Sequence, residues 1–208
     1  GQPITSTANL GKFKTAVLAG SVKVAFVGHS HLEGQNQNWH GANLSRIIES
    51  QLRRAFPDVN FVFANLSLGG RYASQFASGT YVGAANDSTP STSFFRGAAS
   101  SNNVPEVWIT PDLSINGSTV GKSWVQHVKD FNPDLIFFLH DLNETSYITF
   151  VTAMDTIMAD FQTAANWGGT APSVVLGTSG TGLQTRDFLL KVHRGIRAIA
   201  ARYEVPYF

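Results

Sequence analysis

Four short, near-continuous apolar runs divide this sequence into regular units. They lie at 22–27, 61–64, 135–139 and 173–176, and are rich in valine, isoleucine, leucine and phenylalanine. Runs of this kind predict strands that are covered on both faces, as in the middle of a parallel sheet. A further short run at 205–208 predicts a fifth strand.

The segments between these runs repeat apolar residues every three or four positions, the period of an α-helix. The predicted helices cover 44–56, 124–131, 147–161 and 188–203, with a short amphipathic piece at 13–18. Alternation of strands and helices builds βαβ units and therefore parallel pairing. The sequence thus predicts a single α/β domain over 1–208, with a five-stranded parallel sheet in the doubly wound order 2-1-3-4-5.

The pattern is interrupted between residues 78 and 118. This stretch is dominated by glycine, serine, threonine, asparagine and proline, with only brief apolar pieces. It is too long for an ordinary connection inside an α/β unit, so we interpret it as an insertion. Two positions for it stay open: over the crevice, where loops often carry specificity, or away from any substrate.

Polar segments directly follow three of the predicted strands. They are Gly28-His29-Ser30, Asn65 to Gly70, and His140 to Glu144. Ligands of open α/β sheets bind beyond the carboxyl ends of the strands. A serine hydroxyl held there can act as a nucleophile when a base is near. Locally, Ser30 also suits a helix N-cap, and Asn143 also suits a turn.

In these three segments the chain resembles the SGNH, or GDSL-like, serine hydrolases, a family of esterases and deacetylases with a three-layer, flavodoxin-like α/β fold. Gly28-His29-Ser30 matches the family's Gly-Asp-Ser block with histidine in place of aspartate. Asn65 to Gly70 matches its Asn-x-Ser-x-x-Gly block, and 141–144 matches Gly-x-Asn-Asp without the glycine. The resemblance implies that Ser30 is the nucleophile. It also implies an oxyanion hole made by the backbone N–H groups of Ser30 and Gly70 and the side-chain amide of Asn143.

The family's fourth block, Asp-x-x-His, has no match in the sequence. Asp187 and His193 come nearest, but residues six apart on a helix point in different directions. Against the family pattern we therefore expect a domain that is incomplete at its C-terminal end. A C-terminal fragment, residues beyond Phe208 or a partner chain would then supply the histidine and the acid.

Three histidines within the chain are candidates for the base. His31, His40 and His140 are base candidates within the chain, although His140 equally suits a structural position at a strand end. His29 should point away from Ser30, and we expect it to support the strand end.

Two other functions stay open from the residues themselves. The first alternative is a metal-dependent hydrolase in which His29 and His31 bind the metal, with Asp141 or His140 as further ligands. The second is a non-catalytic carbohydrate-binding or adhesin module, whose aromatic residues would stack on sugar rings: Trp39, Tyr81, Trp108 and Trp124.

Composition narrows the range of partners. Only 14% of the 208 residues are charged and the net charge is +1, so neither nucleic acid nor an anionic membrane is an expected partner. There is no cysteine and no apolar run of transmembrane length. Together with the resemblance, the polar loops favour hydrolysis of an O-acyl ester, foremost an O-acetyl group on a carbohydrate, with no cofactor. A surface rich in asparagine, serine, threonine and glycine suits a secreted protein or one on a virion or cell surface.

Overall fold

The central element of the computed structural model is a four-stranded, fully parallel sheet. The structure describes residues 9–29, 32, 44–67, 72–77, 124–140, 145–178 and 185–208. The strands are β1 (Ser21–Gly28), β2 (Asn60–Asn65), β3 (Leu135–Leu139) and β4 (Ser173–Gly177). Their spatial order is β2-β1-β3-β4, which puts β1 in the interior between β2 and β3.

Six α-helices occur within these described residues. They are α1 (Gly11–Leu18), α2 (Leu44–Ala55), α3 (Ala73–Ala77), α4 (Trp124–Phe131), α5 (Tyr147–Gln162) and α6 (Arg186–Arg202), with a 3₁₀ turn at Ala164–Trp167. The side chains of Ser146 and Thr185 cap the first turns of α5 and α6 by accepting hydrogen bonds from backbone N–H groups. All the predicted helices are confirmed, whereas α3 and the 3₁₀ turn were not predicted.

The helices cover both faces of the sheet and create two apolar cores. On one face, Val22, Val24 and Phe26 pack with side chains of α1 and α2. On the other, Ala25 and Val27 belong to a larger core with α3, α4, α5 and α6. Alternate residues of β1 thus enter different cores, which explains why its apolar run is nearly continuous. The result is a three-layer α/β/α arrangement.

The predicted fifth strand is present as a single bridge rather than a strand. Tyr207 forms an isolated parallel bridge with Leu176 of β4. The backbone N–H of Leu176 donates to Pro206 (2.9 Å), and that of Phe208 donates to Leu176 (3.1 Å). The segment therefore runs beside β4, where the fifth strand was expected. The five-stranded order 2-1-3-4-5 itself stays a prediction.

Helix α2 begins at the predicted residue and ends one residue earlier, and most of its predicted apolar face packs against a core. The apolar spacing includes Ile47 and Ala55 in that face, yet Ile47 is 46% exposed and Ala55 is also exposed. Ser45 and Glu49 are buried instead. Both have polar partners, the carbonyl of Leu32 for Ser45 and arginine side chains for Glu49, which offset the cost of removing them from water.

Within the described ranges, no helix is both long and apolar enough to cross a membrane. The predicted insertion at 78–118 lies outside the described residues, so its position relative to the sheet stays a prediction.

Candidate functional site

The three polar segments singled out in the sequence follow adjacent strands of the sheet. β1 pairs with β2 on one side, where Phe26 is opposite Asn65, and with β3 on the other, where Gly28 is opposite Leu139. Because all three strands are parallel, their carboxyl ends share one edge. Neighbouring strands are about 4.8 Å apart, so the chain leaves this edge at three closely spaced points. This is the edge at which open α/β sheets bind ligands.

Gly28 lies at the end of β1, opposite Leu139 of β3, in close contact with that strand. A Cβ atom added there would overlap the carbonyl oxygen of Leu139 and lie 2.8 Å from Cδ1 of Leu32. Any larger residue would therefore push apart the two strand ends. Glycine at this position is required by close packing, which its match to a family motif alone could not show.

Ser30 itself lies outside the described residues, but its flanking residues are held by backbone hydrogen bonds. The N–H of His29 donates to the carbonyl of Leu139 (3.1 Å), which ties the end of β1 to β3. The N–H of Leu32 donates to the carbonyl of His29 (3.1 Å). The chain is thus anchored on both sides of Ser30 and His31.

The carbonyl oxygen of Leu32 accepts two further hydrogen bonds from side chains. Nδ2 of Asn65, at the end of β2, donates to it at 2.7 Å. Oγ of Ser45, in the first turn of α2, donates to it at 3.1 Å. Oδ1 of Asn65 in turn accepts from the N–H of Ser67 (3.2 Å). We call the Leu32 carbonyl with its two side-chain donors, Asn65 and Ser45, the Leu32 clamp.

The sequence reasoning did not assign a role to either donor of this clamp. Asn65 was the first residue of a recognised motif, but no contact or function was assigned to it. Ser45 lies in a helix that was predicted, but its burial, and with it the need of its hydroxyl for a partner, is shown only by the structure.

His29 and His140 lie side by side beneath this edge of the sheet. Both are buried, and their ring centroids are 6.4 Å apart in an edge-to-face arrangement. Burial lowers the pKa of His140 well below its usual 6.5, and the nearby His29 lowers it further. His140 is therefore neutral at pH 7. The burial of His29 agrees with the structural position expected for it.

No described histidine lies exposed at the strand ends. His127, on α4, is buried, and His193, on α6, is half-buried. Asp187 is exposed on the first turn of α6. His31 and His40 lie outside the described residues.

The other predicted site residues also fall outside the described part of the chain. These are Gly70, Asn143 and Asp141, and with them Trp39, Tyr81 and Trp108; of Trp124 only the backbone is described. Their roles stay predictions. Among the residues that are described, no group of three or more histidine, aspartate or glutamate side chains is arranged to hold a metal ion.

No protein-family model matches the sequence, and no curated protein matches it. Solved structures do. Two structures of a two-domain esterase (CEX) active on acetylated mannans, one of them co-crystallised with mannopentaose, align with 98% and 97% of this chain. The TM-scores are 0.58 and 0.60, at 14% and 15% sequence identity. The chain shares its fold with an esterase.

The same fold extends to the protein TesA, whose structure aligns with 89% of this chain and 76% of its own, at a TM-score of 0.51 and 10% identity. The chain spans about two fifths of the length of the two-domain esterase, since the alignment covers 41% of that protein. An α/β fold with a parallel sheet is thus established, and it agrees with the flavodoxin-like fold that the SGNH resemblance implied.

Proposed function

We propose that this protein is a serine esterase or deacetylase that hydrolyses O-acyl esters, foremost O-acetyl groups on a carbohydrate. One observation carries the proposal: the segments that contain Ser30, Gly70 and Asn143 leave three adjacent strands at one edge of the sheet. A nucleophile and two oxyanion donors need this kind of convergence, because each must reach the same acyl group. The shared fold with an acetyl-mannan-active esterase supports the same reaction class.

In the proposed reaction, Oγ of Ser30 attacks the acyl carbon while a histidine takes the serine proton. The tetrahedral oxyanion accepts hydrogen bonds from the N–H groups of Ser30 and Gly70 and from the amide of Asn143. One such donor contributes on the order of 3 kcal/mol to transition-state stabilisation. The histidine gives this proton to the sugar oxygen, which leaves as a hydroxyl group. Water then hydrolyses the acyl-serine to release the acid and free Ser30.

The proposed base comes from a segment outside this sequence, either elsewhere in the same protein or on a partner chain. Two facts support this. The sequence has no Asp-x-x-His spacing, and the described histidines at the strand ends, His29 and His140, are buried. A general base must come within hydrogen-bond reach of the serine hydroxyl, and a buried ring is badly placed for that.

An acylated carbohydrate is the proposed substrate for two reasons. The sequence stretches 34–40 and 78–118 are polar with scattered aromatic residues, which suits sugar rings better than lipid chains. In addition, the two-domain esterase that shares this fold is active on acetylated mannans. Polysaccharide of this kind is met outside cells, so we propose that the protein is secreted or sits on a virion or cell surface.

The proposal is tested with an active-site fluorophosphonate probe, p-nitrophenyl acetate and acetylated mannan. Each is applied to this chain alone and to a longer chain from the same gene, and the labelled residue is mapped by mass spectrometry. We expect labelling at Ser30 with turnover only in the longer chain, and loss of both labelling and turnover in Ser30→Ala. Ser50→Ala, which removes an exposed hydroxyl on α2, should behave like the wild type.

Two results would replace the proposal with another function. Absence of labelling and turnover in both folded chains would indicate a carbohydrate-binding module. Turnover that survives Ser30→Ala but disappears with a chelator would indicate the metal-dependent alternative, with His29 and His31 as ligands.

A further inference from the structure

We propose that Asn65 and Ser45 are positioning residues, which hold the segment containing Ser30 in place through the Leu32 clamp. The inference rests on the proposed function for the role of Ser30, while the clamp itself is a structural claim that can be tested separately. Neither side chain is assigned a part in the proposed chemistry. Both act through the backbone of Leu32.

The first argument is the geometry of the clamp. The carbonyl of Leu32 is buried, and it accepts from donors 33 residues later (Asn65, 2.7 Å) and 13 residues later (Ser45, 3.1 Å). The two donors come from different layers, the end of β2 and the first turn of α2. A buried polar group without a partner destabilises the fold, so this carbonyl strongly favours the position where both donors reach it.

The second argument is that the clamp completes the anchoring of the segment. His29 is bonded to Leu139 of β3, and Leu32 is bonded to His29. The clamp adds β2 and α2 to these contacts. The residues on either side of Ser30 and His31 are thereby fixed to three separate elements, and a nucleophile carried between them inherits that restriction.

The third argument is the chemistry required at position 65. Asn65 donates to Leu32 and accepts from the N–H of Ser67, and Oγ of Ser67 donates to the carbonyl of Phe26 (3.3 Å). Only a side chain with both a donor and an acceptor can make the first two bonds. The same amide therefore links the Ser30 segment to the start of the segment that leads to Gly70.

The test compares Asn65→Leu and Ser45→Ala with a matched control, Ser173→Ala. Ser173 is also buried, and its Oγ accepts a hydrogen bond from the N–H of Phe13 (3.0 Å), but it lies at the opposite, amino-terminal end of β4. In the longer chain from the same gene, which would supply the proposed base, we measure hydrogen exchange in the peptide 29–34, thermal unfolding, the rate of fluorophosphonate labelling of Ser30, and kcat and KM on p-nitrophenyl acetate.

Both clamp variants should accelerate exchange in 29–34, and Ser173→Ala should not. The labelling rate and kcat should fall about 10- to 100-fold in Asn65→Leu and less in Ser45→Ala, with KM changed by about twofold or less, because a misplaced nucleophile slows attack more than binding. Ser173→Ala should keep the wild-type labelling rate and kcat even if it loses as much thermal stability as the clamp variants.

Asn65→Asp supplies a readout that a merely stabilising residue would not affect. An ionised aspartate cannot donate to Leu32, but a protonated one can. The ratio of its labelling rate to that of the wild type should therefore rise as the pH falls, while circular dichroism shows the same folded fraction.

The outcomes separate this inference from the proposed function. Unchanged exchange in 29–34 in both clamp variants overturns the clamp, whatever the activity. Faster exchange with unchanged labelling and kcat, in a protein that is labelled at Ser30, overturns the positioning role. If exchange is faster in the clamp variants but the folded wild type is never labelled at Ser30, the clamp is supported and the proposed function is overturned.

Discussion

Replacing Gly28 by alanine should destabilise the protein at the edge of the sheet where the candidate site lies. The new Cβ would overlap the carbonyl oxygen of Leu139, and it would lie 3.1 Å from the carbonyl carbon and 2.8 Å from Cδ1 of Leu32. Ordinary contacts of a carbon atom are about 3.5–4.0 Å. The leucine side chain can rotate away, but the Leu139 carbonyl belongs to the backbone of an interior strand and can move only with that strand.

The expected cost has two parts. Forcing an extra methyl group into a packed backbone contact costs about 1–3 kcal/mol. Moving the Leu139 carbonyl also weakens the hydrogen bond that it accepts from the N–H of His29, worth about 1 kcal/mol. We therefore expect the free energy of unfolding to fall by about 2–4 kcal/mol.

Urea unfolding, followed by circular dichroism, measures this difference. Gly11→Ala is the matched control, because nothing lies within 4 Å of its added Cβ at the start of α1. It should be neutral or stabilise the protein by up to about 1 kcal/mol. The reasoning is refuted if Gly28→Ala unfolds within about 0.5 kcal/mol of the wild type, since the strand ends would then separate freely.

Two further predictions concern buried titratable groups. The pKa of His140 is well below 6.5 in the folded protein, so below pH 6.5 the unfolded state binds more protons than the folded state. As the pH is lowered from 6.5 to the folded pKa, the free energy of unfolding should therefore fall by up to about 1.4 kcal/mol per pH unit. His140→Gln should lack this part of the pH dependence, and equal slopes in both proteins would contradict the lowered pKa. Glu49→Gln should cost about 1–3 kcal/mol in urea unfolding, because it leaves two partly buried cations, Arg46 (3.6 Å) and Arg53 (3.1 Å), without their carboxylate. Arg202→Gln, in an exposed ion pair, should cost less than about 1 kcal/mol, and an equal loss in the two variants would show that burial of Glu49 adds nothing.

The elements of this fold were predictable because their signals are local. The run at 135–139 became β3 without change, and the helix predicted at 147–161 became α5 with one more residue. Apolar periodicity reports the surroundings of each residue within its own element, and a core that covers both faces of a sheet demands it throughout.

The site was predictable only as a set of segments. Strand order follows from βαβ connections, so the sequence could place three polar segments at one edge of a sheet. It could not show that His29 and His140 are buried together, since that contact joins residues 111 apart in the chain. Nor could it show that Ser45 and Glu49 of α2 are buried, because their partners are ones that apolar periodicity does not register.

The sequence by itself determined most of the elements, their parallel arrangement and the polar segments that follow three of the strands. Only the tertiary structure decided that Gly28 is needed for the approach of Leu139, and that Asn65 and Ser45 share one carbonyl of Leu32. The physical reason is the range of the interactions. Propensity and periodicity act within a few residues, whereas close packing and buried hydrogen bonds join atoms whose neighbourhood exists only once the chain has folded.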